Sequence, residues 1–190
     1  MTLNVSFAIG CMWESLAVVW LLGLAFTKRT ARSQSMGPRL FHMSVALLGF
    51  LLLGSDWFSR GWLGSRFFPG SFPTQYAGLA VTAAGCLFAI WARLTLGANW
   101  SGRATVKQDH ELIVKGPYRL ARHPIYTGLL LASLGTALAI GEWRCVLGLI
   151  IILLALLVKM SQEERLMMET FPQAYPQYRR RVKALIPGLI

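Results

Sequence analysis

Two segments of this chain hold most of the side chains that could do chemistry. The first, residues 97–126, reads GANWSGRATVKQDHELIVKGPYRLARHPIY and contains His110, Tyr118, Arg122, His123 and Tyr126. The second starts at Lys159, reads KMSQEERLMMETFPQAYPQYRRRVKALIP, and carries Glu163 and Glu164. If a helix continues through it, Lys159 and Glu163 are i,i+4 neighbours, a cation beside a carboxylate. Pro124 suits the first turn of a helix, where its missing N–H costs nothing. Arg122 and His123 then sit at a helix N-terminus, whose dipole favours a bound anion. Each residue also has a plainer role. Basic residues beside a membrane anchor headgroups, interfacial tyrosines form belts, and a Glu pair after an apolar helix is a solvated face. The case for chemistry is that these groups converge. Phe171, Tyr175 and Tyr178 follow at i, i+4, i+7 spacing, and Pro176 is expected to interrupt a regular helix there.

The elements that must position these groups are membrane spans. The chain is 55% hydrophobic and only 14% charged over 190 residues, too apolar for one small soluble core. Five apolar segments stand out: residues 5–26, 40–58, 76–96, 125–140 and 143–160. The expected fold is all-α, a polytopic membrane protein of about five spanning helices with a C-terminal pocket on the inner face. It forms one membrane-embedded domain over residues 1–190. Residues 1–96 make a three-helix N-terminal part, and 97–190 hold spans four and five with the tail. Spans four and five are separated only by Gly141 and Glu142, which predicts a tight hairpin. An outside N-terminus places 16 of the 19 Lys and Arg on the inner side and leaves Arg60, Arg66 and Arg144 outside, as the positive-inside rule requires. The C-terminus is then cytoplasmic. Topology thus accounts for the net charge of +11, and no nucleic-acid partner is expected. Met1–Ser6 lacks the basic n-region of a cleavable signal.

The connection at residues 54–74 is rich in Trp and Phe and reads as an interfacial segment, with Pro69 and Pro73 ending any helix. Cys11, Cys86 and Cys145 have no CxxC spacing and read as small apolar residues. No His/Cys cluster has metal-ligand spacing, so no metal is expected. Glu14 in span one is costly if it faces lipid. It would need an internal partner or a place near the outer surface. Gly78 and Gly85 could allow close helix packing.

The series His110-Glu-Leu-Ile-Val-Lys-Gly116-Pro-Tyr118, then Arg122-His123-Pro124-Ile-Tyr126-Thr-Gly128, resembles the signature of the isoprenylcysteine carboxyl methyltransferase family. Phospholipid methyltransferases share part of it. Glu163-Glu164, Phe171, Tyr175, Tyr178 and Ile186-Pro187 match the family's C-terminal pattern, so the resemblance covers about residues 95–187. It implies a membrane-embedded methyltransferase that uses S-adenosylmethionine. By position, the implied cofactor contacts are Arg103, His110, Glu111, Leu112, Ile113, Tyr118, His123, Pro124, Ile125, Tyr126, Glu163 and Glu164. Arg122 and Lys159 are the implied catalytic cations. Lys159 falls where eukaryotic members place an arginine that handles the methyl acceptor. Arg103 stands for a glutamine-type contact, and Pro172 for a glycine.

The chemistry agrees with that cofactor. Glu163 suits its ammonium. His110, His123, Arg122 or loop N–H groups suit its carboxylate, and Tyr118 or Tyr126 its adenine. The absence of any GxG argues against a Rossmann-type cofactor domain. The expected acceptor is lipophilic, a prenylated cysteine carboxylate or an analogue, and it enters sideways from the bilayer lipids. Phospholipid amine N-methylation and a non-enzymatic lipid-binding scaffold remain the alternatives.

Overall fold

The computed structural model describes residues 4–25, 30–33, 36–67, 70–100, 105–107, 111–186 and 188, with side chains outside 30–41 and 105–107. Five long helices carry it: α1 (Val5–Leu24), α2 (Met36–Gly54), α3 (Phe72–Leu96), α4 (Pro124–Ile140) and α5 (Trp143–Thr170). A short α6 (Ala174–Arg181) follows. Three of them, α1, α3 and α5, are long and apolar enough to cross a membrane, whereas α4 and the apolar part of α2, His42–Gly54, are shorter. The fold is nearly all-helical. It departs from all-α in one small antiparallel pair, β1 (Thr30–Ser33) with β2 (Thr105–Lys107).

Helix boundaries follow local chemistry. Pro73 opens α3 instead of breaking a helix, because Ser71 and Thr74 form a capping box around it. Pro176 likewise falls in the first turn of α6 and does not interrupt it. Pro69 lies outside the described residues. Gly141, with φ of 73°, ends α4 in the left-handed region and lets α5 begin two residues later. The expected hairpin is therefore present. Trp57 and Trp62 are exposed in short 3-10 turns between α2 and α3, as an interfacial segment would have them.

The connections alternate between two ends of the bundle. At one end β1 pairs with β2, and the N–H groups of Arg122 and His123 donate to the carbonyls of Lys183 and Ala184 at 2.8 and 2.9 Å. At the other, Phe67 N–H donates to Gly141 and Trp143 N–H to Ser65, at 3.0 and 3.1 Å. Arg144 locks this second end. It is 2% exposed and meets Glu142 at 2.5 Å, the Ser55 carbonyl at 2.9 Å and Asp56 at 3.0 Å. A buried guanidinium is tolerable because its donors are used in this way.

The closest packing is between α3 and α4. A Cβ on Gly85 would lie 2.3 Å from the Ala132 nitrogen, and one on Gly135 would lie 2.3 Å from that of Thr82. Thr82 and Thr136 return their hydroxyls to the carbonyls of Gly78 and Ala132, each at 2.9 Å. Trp13 Nε1 donates to Thr136 at 3.1 Å and ties α1 to the seam. The small residues expected to permit close packing are therefore spent within the chain. Cys86 and Cys145 are buried, while Cys11 and Glu14 lie on the outward face of α1.

Gly135→Leu should destabilise the protein by about 2 kcal/mol or more, since the backbone of α3 leaves no room for overpacking. Gly10→Leu, at a position with open space around it, should change stability by under about 0.5 kcal/mol. Thermal unfolding in detergent measures both.

Candidate active site

A cavity of about 370 Å³ opens where the first-end connections meet α5, within the size range of small-molecule sites. Its polar end holds Glu111, Arg122, His123, Lys159, Gln162 and Glu163. α5 runs on as one helix past Met160, so Lys159 and Glu163 share a face as expected. Lys159 Nζ lies 3.9 Å from Glu163 Oε1 and over the Tyr126 ring, 5.5 Å from its centre. His123 stacks on Tyr126 with ring centres 5.3 Å apart and planes 3° apart. Its Nδ1 is 3.7 Å from Glu163, and Tyr126 lies near the same carboxylate. Burial, then the charge of Glu163, raises the Tyr118 hydroxyl far above the ordinary phenol range, so it stays protonated.

The two adjacent glutamates face different partners. Glu164 is rotated about 100° from Glu163 around the helix, and it does not line the cavity. Its Oε1 accepts from Arg122 Nε at 2.9 Å and Nη2 at 2.6 Å, and lies 3.3 Å from His123 Nε2. Arg122 Nη1 donates onward to the carbonyls of Val182 at 2.5 Å and Arg179 at 3.3 Å. The guanidinium thus clamps the tail onto the 118–123 loop. Tyr178 adds a hydrogen bond to the Tyr118 carbonyl at 2.6 Å, and Thr127 one to that of Leu185 at 2.7 Å. Burial alone would raise the Glu164 carboxyl. The hydrogen bonds from His123 and Arg122, with their charges, more than offset it and hold it at about 2.

The cavity brings together Glu111, Leu112, Ile113, Tyr118, Arg122, His123, Pro124, Ile125, Tyr126, Lys159 and Glu163. Arg103 and His110 lie outside the described residues. Several lining residues were not anticipated. Trp20, Met43, Ala46 and Phe50 belong to largely apolar helices, and on α2 the unread signal was His42, which lines the cavity beside Met43. Gln162 had a signal, being three residues from Lys159 on one helical face. Asn99 had less. It lines the cavity, and its buried Oδ1 has no hydrogen-bond partner among the described residues. Such an atom is costly unless a ligand donor meets it.

The model of the Isoprenylcysteine carboxyl methyltransferase family matches residues 78–169. A Schizosaccharomyces pombe protein named Protein-S-isoprenylcysteine O-methyltransferase is 32% identical over 81 residues, covering 42% of this chain and 34% of its own length. A Cupriavidus metallidurans protein named Cobalt-zinc-cadmium resistance protein CzcN is 33% identical over 102 residues, 50% of this chain and 44% of its own. In fold, the chain is similar to the structure of a eukaryotic intramembrane Ras methyltransferase. The TM-score is 0.57 at 23% identity, over 82% of this chain and 54% of that one. The chain therefore spans only part of the length of the relatives it matches.

Because Glu164 is held below the ordinary carboxylate value of about 4.3, its contribution to stability is full above that pH. It is lost as pH falls through about 2. Wild-type melting temperature should fall across that window, and Glu164→Gln should show a smaller fall. The variant's tail, residues 174–185, should also exchange amide hydrogen faster at neutral pH.

Proposed function

We propose that this chain, whose residues 78–169 match the model of the isoprenylcysteine carboxyl methyltransferase family, uses S-adenosylmethionine to methylate the carboxylate of an S-prenylcysteine or a close analogue. The observation that carries this reading is one cavity with two ends. The carboxylate of Glu163, the stacked His123 and Tyr126, and Lys159 form one end, and apolar residues of α1, α2, α4 and α5 form the other. The names of the similar proteins differ among themselves, so the acceptor is argued from the cavity.

The donor set fits the cofactor. Glu163 would receive its ammonium, and His123 with loop N–H groups its carboxylate. The orphaned Asn99 Oδ1 would accept from an amino group, and Tyr118, Ile113 and Ile125 give an apolar wall for a flat ring. When bound, S-adenosylmethionine supplies an electrophilic methyl group on a sulfonium. Lys159 would hold the acceptor carboxylate, which is already ionised at pH 7 and needs no base. The stacked and clamped side chains restrict the approach of donor and acceptor, which is the main demand of an in-line displacement. Arg122, with its donors committed to Glu164 and the tail, acts by holding the wall of the site.

We further propose that all five long helices cross the bilayer, with the N-terminus outside and the tail cytoplasmic. The alternation of connections between two ends supports five crossings, and the excess of Lys and Arg at the first end supports the direction. The cofactor then arrives from the cytoplasm.

Calorimetric titration with S-adenosylmethionine should give binding to the wild type and at least tenfold weaker binding to Glu163→Gln. No binding to the wild type would favour a lipid-binding scaffold. Labelled methyl transferred to a prenylcysteine should be released by base. Base-stable label on phosphatidylethanolamine would instead identify an amine acceptor. A labelling map that puts Arg60 and Arg180 on the same side would sink the five-crossing topology.

A further inference from the structure

Helices α2 and α5 form a wedge. They touch at Gly49 and Gly148, where a Cβ on Gly148 would lie 2.6 Å from the Gly49 carbonyl oxygen. Toward the first end they part, and His42, Met43 and Ala46 of α2 face the cavity opposite Ala155, Leu156 and Lys159 of α5, with His42 at the polar mouth. Met43 is also 58% exposed, so the wedge opens sideways on the outer surface. The narrow end is stopped by Phe50. Its ring meets Trp13 edge-on at 5.5 Å between centres and packs on the sealed cluster of Leu53, Ala137 and Ile152.

We infer that Phe50 is the floor of an arm that takes the lipid chain of the acceptor and selects its length. This rests on the methyltransferase reading above. Met43, Ala46 and Phe50 lie at i, i+3, i+7 on one face of α2. The arm beneath the polar end is therefore about 10 Å deep, room for roughly two isoprene units. The Gly49–Gly148 contact closes the wedge on its far side, which favours one slender chain over two acyl chains side by side. A longer chain must turn back toward the opening at Met43, which forfeits close contact with the walls of the arm and weakens binding.

The test uses N-acetylcysteines carrying S-geranyl, S-farnesyl or S-geranylgeranyl chains, with kcat/KM measured for each and cofactor affinity measured by calorimetry. Phe50→Ala should raise the farnesyl-to-geranyl ratio of kcat/KM at least tenfold. Ala46→Phe, which fills the arm from the side, should lower kcat/KM for the geranyl acceptor at least tenfold. S-Adenosylmethionine affinity should stay within twofold in both, which also confirms that they fold. Leu47→Ala, on the exposed face of α2, should leave the ratio unchanged. If the wild type binds the cofactor and methylates the acceptors but neither variant changes chain-length preference, the floor assignment is overturned and the function stands. If the wild type binds no cofactor, both are overturned.

Discussion

Helices in lipid gain little from apolar burial against one another, because the alternative neighbour is equally apolar. What holds them is close contact and satisfied backbone groups. In this chain that contact is concentrated where Gly78, Thr82, Gly85 and Ala89 of α3 meet Gly128, Ala132, Gly135 and Ala139 of α4. With no side-chain bulk between the backbones, the two helices have one relative position. The start of α4 is then fixed, and with it His123, Pro124 and Tyr126. α1 joins through Trp13 and Thr136, and through Arg93, which donates to the Gly23 carbonyl at 2.7 Å and lies over Trp100. The site wall is an extension of this seam.

The polar end is built on the opposite principle, many directional bonds over a small area. Arg122 is shared by Glu164 and two tail carbonyls, and His123 lies between two carboxylates. Such a network is strong only if every member is satisfied. The helical step of one residue separates the two tasks. Glu163 faces the cavity with Lys159, and Glu164 faces the loop with Arg122. Either glutamate alone would serve one of these ends.

Much of this was legible in the residues. Charged and aromatic groups are rare in a chain so apolar, so their two clusters stood out, and i,i+4 spacing paired Lys159 with Glu163. The sequence did not separate the roles of Glu163 and Glu164, because helix phase relative to the loop is set by α5 packing on α2 and α4. Arg144 looked like one more basic residue of an outer connection, yet it is the buried clasp of that end. Its partners Ser55 and Asp56 are distant in sequence and no local pattern points to them. The β1–β2 pair was also missed, since strands of four and three residues, TARS and TVK, are too short for alternation to stand out. Beyond His42, the α2 lining of the cavity was hidden for the converse reason: where a helix is largely apolar, the face that lines a void looks like the face that meets lipid.

Arg144 has a consequence for depth. It pins the start of α5 among Glu142, Asp56 and the end of α2, a polar knot that belongs at a headgroup layer. Along an α-helix, Lys159 is then about 22 Å away and Glu163 about 28 Å, against a hydrocarbon layer of about 30 Å. On the proposed reading, the candidate site then sits at the opposite phase boundary, just where hydrocarbon gives way to water. There a water-soluble donor and an oil-soluble acceptor would each reach it without leaving its own solvent. The solubility problem of joining them would be settled by the length of one helix.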